Sequence, residues 1–265
     1  MSEAVATEKT QLETAADALL GSGHMLFSLA IIALGIETVV CTGKLAGTLI
    51  ETDRWGAVIG PVLAACGVGL LFKRTVRTAA IALGGLLFLY SLIFEVPKYV
   101  AAPGSMTFRT QVFEPLAIAT LAWLVPGEDA IPSWLGRASR YLLAVSFIVF
   151  GMDHFLALAP IGTLIPRWIP WHVFWIAFFG AGFIAAGLSI GFNFLQRWGA
   201  AYLGLMFAIW VFTLHLPRTV FGLYGGSGPH SPDEWSSLFI AIALWGGLWV
   251  LADGVERKAF DRRMF

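Results

Sequence analysis

The run His24–Thr42, HMLFSLAIIALGIETVVCT, carries an acid, Glu37, inside a stretch long enough to cross a bilayer. The run Tyr141–Ala159, YLLAVSFIVFGMDHFLALA, does nearly the same at Asp153. Gly35-Ile36-Glu37 in the first is answered by Gly151-Met152-Asp153 in the second, 116 residues on. The correspondence continues at an offset of 120 residues: Phe94-Glu95-Val96-Pro97-Lys98 is answered by Leu214-His215-Leu216-Pro217-Arg218, Arg77 by Arg197 and Glu114 by Glu234. A period that long is a multi-helix unit written twice. Charges in hydrocarbon are costly, so their recurrence at matched places marks where function or packing is concentrated.

Composition agrees with a membrane protein. The 265 residues are 58% hydrophobic and only 13% charged, with 11 Trp and 21 Phe, against about 25% charged in an ordinary soluble domain. A formal net charge of zero gives no reason to expect a nucleic acid partner; the bilayer itself is the expected surrounding. A crossing helix needs roughly 17–25 apolar residues. Such runs fall at His24–Thr42, Trp55–Phe72, Thr78–Val96, Val112–Val125, Tyr141–Ala159, Trp171–Phe194, Ala200–Leu216 and Trp235–Ala252. The fourth is short and suits a tilt or an interfacial start.

The expected fold is therefore all-α: an integral membrane protein of about eight transmembrane helices, arranged as two fused parallel four-helix repeats. An even number of helices per half makes the halves parallel, related by an axis along the membrane normal. The divisions are a polar N-terminal segment at 1–23, a first repeat at 24–126, a linker at 127–139, a second repeat at 140–254 and a tail at 255–265. The N-terminal segment lacks the basic region of a signal peptide, so the first run is expected to be retained. Eleven Lys and Arg, from Lys9 to Arg263, fall on the side of both termini, against six on the other. That asymmetry predicts cytoplasmic termini and an inner (plasma) membrane location.

The unusual residues share one predicted depth, at the outer side. The first repeat places Glu37, Glu95, Lys98 and Glu114 there, and the second places Asp153, His154, His215, Arg218 and Glu234. Opposite charges at one depth in a small bundle are expected to pair, Glu37 with Lys98 and Asp153 with Arg218. Two interpretations stand side by side. The pairs fix helix packing, with Glu114 and Glu234 favouring helix N-termini through the dipole; or they line a polar pocket that holds a small group or passes protons. The halves differ in that the second adds His154, His172, His215 and His230, and the first has Thr38 and Glu95 where the second has His154 and His215. One copy keeping a site while the other becomes scaffold would produce that pattern.

Other chemistries find little footing. No HxxxH or ExxH spacing lies on one helix, so no metal is expected. Cys41 and Cys66 form no CxxC and read as small packing residues. There is no phosphate loop. The glycines of the second helix of each half, Gly60, Gly67 and Gly69 and then Gly180, Gly182 and Gly187, suit close helix approach. Trp55, Trp123, Trp134, Trp168, Trp171 and Trp235 sit near span ends, as an interfacial belt does.

The segment Gly151-Met152-Asp153-His154-Phe155, followed by Ile165-Pro166-Arg167-Trp168-Ile169-Pro170 and later by Pro217-Arg218, resembles the DoxX-like family of small four-helix membrane proteins, which includes DoxD. The likeness covers about 140–252; the first half joins only through the internal repeat. What the resemblance implies is a redox-associated membrane subunit linked to the quinone pool, with a quinone as cofactor and a redox enzyme as partner. Asp153 and His154 are then the candidate proton donors. The sequence leaves open whether the chain is catalytic. Its alternatives are a small-molecule transporter or ligand-binding protein, and a structural anchor; neither substrate nor oligomeric state is legible in it.

Overall fold

The computed structural model describes residues 20–41, 49, 55–224, 228 and 231–264, with only the backbone at Glu128 and 255–264. The N-terminal segment up to residue 19, the tail side chains and His230 lie outside the described residues. Every regular element among the described residues is helical. Six helices are long and apolar enough to cross a membrane: α1 (Gly23–Val40), α3 (Val76–Ala101), α5 (Ser133–Leu156), α7 (His172–Gly191), α8 (Gln196–Phe221) and the Pro232–Gly254 part of α9 (Pro232–Met264). The chain is a multi-pass membrane protein. Two more rods complete the bundle, α2 (Gly56–Leu70) and α4 (Met106–Leu124), and a short α6 (Leu158–Leu164) follows α5.

Several bounds differ from the sequence expectation, each for a physical reason. The fourth run grows backwards to Met106, because Ser105 caps the helix by accepting a hydrogen bond from the Phe108 N–H at 3.2 Å. That brings Arg109 inside α4. The linker shrinks because α5 begins at Ser133, directly after Pro132, a residue suited to a helix entrance. The third run of each half does not stop at its proline. α3 passes Pro97 and α8 passes Pro217 through π turns at Ser91–Glu95 and Val211–His215. A proline ring clashes with the carbonyl four residues earlier. Widening the turn to the i→i+5 pattern relieves that clash and lets the helix continue.

The helices pack in a closed order: α1 on α2, α2 on α3, α3 on α4, α4 on α5, α5 on α7, α7 on α8, α8 on α9 and α9 back on α1, with α4 also touching α9. Glycines set two of the closest crossings. A Cβ added at Gly35 would lie 2.7 Å from the Gly60 carbonyl oxygen, and one at Gly151 2.6 Å from that of Gly180. One apolar core runs through both halves, from Phe27 and Leu83 to Phe147 and Leu248.

Candidate functional site

The buried polar residues gather in the seams between these helices. On α1, Glu37 accepts a hydrogen bond from the Ser236 hydroxyl of α9 at 2.7 Å, and Ser236 in turn accepts the Leu49 N–H at 3.2 Å. Glu37 is thus not paired with Lys98. Lys98 instead meets Glu95, three residues back on the same helix, at 3.0 Å. The same Glu95 oxygen accepts from the Tyr90 hydroxyl at 2.6 Å, and its other oxygen is buried without a partner. The π turn holds Glu95 inward, only 2% exposed.

Asp153 is not paired with Arg218. Its partner is Arg109, whose Nε donates at 2.6 Å and whose Nη2 also contacts the same carboxylate oxygen. In the sequence Arg109 is only one of the six basic residues on the side opposite the termini. The signal that finds it is Ser105, whose capping role turns the segment before Val112 from loop into helix. Arg218 is bound to Glu234 across the α8–α9 seam, through Nε at 3.2 and 3.0 Å and Nη2 at 2.6 Å. This two-pronged pair uses the planar fork of arginine. Beside it, the Thr219 hydroxyl donates to the Glu234 carbonyl at 3.0 Å.

The five second-half candidates thus enter two separate pairings, Asp153 with Arg109 and Arg218 with Glu234. Asp153 and His154 belong to the α5 end, and Arg218 and Glu234 to the α8–α9 seam. His154 places Nδ1 2.7 Å from the Phe150 carbonyl, which can only accept, so the proton sits on Nδ1. Its Nε2 is buried and unpartnered, with the ring centred 5.2 Å from that of Phe183. The second Asp153 oxygen is likewise buried without a partner. His215 closes the π turn of α8 and makes no hydrogen bond with the described residues. Glu114, partly buried on α4, has neither a hydrogen bond nor an ion pair there. His172 is the first residue of α7. No group of three or more His, Cys, Asp or Glu suited to a metal ion occurs among the described residues.

This layer can hold helices in register through its ion pairs. At its α5 end, Asp153 Oδ2 and His154 Nε2 remain open to a further hydrogen-bonding partner. Comparisons with protein-family models, with curated proteins and with solved structures return no match.

Proposed function

We propose that this chain is a DoxX-like, redox-associated membrane subunit that helps couple a partner enzyme to the quinone pool, with Asp153 and His154 handling the protons. One observation carries the proposal. Two neighbouring residues at the end of α5 each keep a buried polar atom without a partner among the described residues, an arrangement that native structures seldom retain without a use. The Gly151-Met152-Asp153-His154-Phe155 motif supports the same residues. Asp153→Asn and His154→Gln preserve shape. Membranes holding each variant at the abundance of the parent should lose the quinone reduction that the parent confers on a deletion strain. Unchanged quinone reduction in both variants would refute the proposal.

A structural role for the layer is the second reading, favoured by the two-pronged Arg218–Glu234 pair. It expects the same variants to lower abundance instead.

We also infer that all eight long rods cross the membrane, as two fused parallel repeats with cytoplasmic termini. Three correspondences support this. The π turns lie 120 residues apart, the glycine crossings match, and α4 against α5 mirrors α9 against α1. A reporter fused after Phe265 that is active only on the periplasmic side would overturn the orientation.

A further inference from the structure

Beside the π turn of α8 lies a cavity of about 400 Å³, within the range of small-molecule sites. Trp175 and Phe179 of α7 form one wall, and Ile209, Trp210, Thr213 and Leu214 of α8 the other. The segment Leu164–Pro170 makes its roof. That roof is fixed at both ends. Ile165 is buried in a cluster with Ile161 and Ile176, and the Trp168 N–H donates to the Tyr224 hydroxyl at 3.3 Å.

We propose that this cavity binds a neutral, flat, membrane-soluble ring that carries an acceptor oxygen. Among the described residues no charged side chain lines it, so burying a carboxylate, ammonium or phosphate there would cost too much. The aromatic walls suit the face of a flat ring. The missing element is an acceptor: the indole N–H of Trp175 is buried and has none among the described residues. The Thr213 hydroxyl already donates to the Ile209 carbonyl at 2.8 Å, which leaves Trp175 as the donor in need. Entry is sideways from the bilayer. Ile209 at the rim belongs to the exposed apolar stripe Leu205, Ile209, Phe212 and Leu216 of α8, spaced as one helix face. The π turn, present because Pro217 demands it, is what sets Thr213 and Leu214 in the wall.

The inference does not rest on the redox proposal, because such a ring fits whether or not it is reduced. The test uses the full chain in phosphatidylcholine nanodiscs, titrated with a decyl-substituted benzoquinone and with decylbenzene, which has no oxygen. Tryptophan quenching reads binding, and Trp168 and Trp210 remain as reporters when Trp175 is replaced. The quinone should quench saturably and decylbenzene should not. Trp175→Phe should weaken binding about five- to tenfold, the worth of one hydrogen bond. Ile209→Phe, which fills the mouth from an exposed position, should abolish it with thermal unfolding unchanged. Binding by both variants as tight as the parent's would place the ring elsewhere. Equal binding of decylbenzene would make the cavity a crevice for acyl chains. Either result overturns this inference and leaves the proton role of Asp153 and His154 to its own assay, in which their variants should bind the ring normally.

Discussion

Arg109→Leu should unfold this protein more easily than its place near a helix entrance would imply. The Arg109 and Asp153 side chains are 17% and 6% exposed, and they tie α4 to α5 across the two halves of the chain. Removing the guanidinium strands a carboxylate already short of one hydrogen bond. Breaking a buried pair in this way costs about 3–5 kcal/mol. Asp153→Leu strands the arginine, which is longer and reaches solvent more easily, so its cost should be smaller. The double variant replaces both charges by apolar groups and should recover most of the loss, because a buried pair is often no better than a hydrophobic one. The cycle isolates the coupling between the two residues. Its assay is reversible unfolding in mixed micelles with increasing dodecyl sulfate, followed by circular dichroism. The expected coupling is about 2 kcal/mol or more, above the roughly 0.6 kcal/mol average for polar contacts within membranes. Coupling near that average would refute the reasoning and make the pair incidental to the fold.

Other outcomes follow from the same geometry. Gly151→Leu should strip the protein from the membrane fraction, since even a Cβ there would lie 2.6 Å from the Gly180 carbonyl oxygen. Gly85→Ala, which meets nothing within 4 Å, should leave abundance unchanged and raise the unfolding midpoint slightly, by up to about 1 kcal/mol. Arg218→Lys loses the two-pronged contact with Glu234 and should cost about 1 kcal/mol, read by the same unfolding titration. Neither Cys41 nor Cys66 is in a disulfide among the described residues, and Cys66 is buried. A maleimide should label Cys41 first, and the Cys41→Ser, Cys66→Ser double variant should keep the function of the parent.

The sequence alone determined the class of the protein and the places where its polar residues would fall. Hydrophobic length decides whether a segment can cross a bilayer, and that quantity is local. So α1, α5, α7 and α9 came within a few residues of their sequence runs at most ends, although α5 starts earlier and α9 runs on past Ala252. The internal echo marked Pro97 and Pro217 as matched positions, but the sequence runs stopped there; that each helix continues through a π turn is decided by the structure.

Pairing was decided by tertiary structure. Depth can be read along a helix, but the rotation of one helix against another cannot. Glu37 meets Ser236 from 199 residues away, and no property of either residue announces it. Asp153 found Arg109 because α4 lies against α5, while Arg218 turned to Glu234 across a different seam. The cavity beneath Leu164–Pro170 exists only where that roof, the α7 aromatics and the widened turn of α8 converge. The space between them is set by packing, which is a property of all three at once.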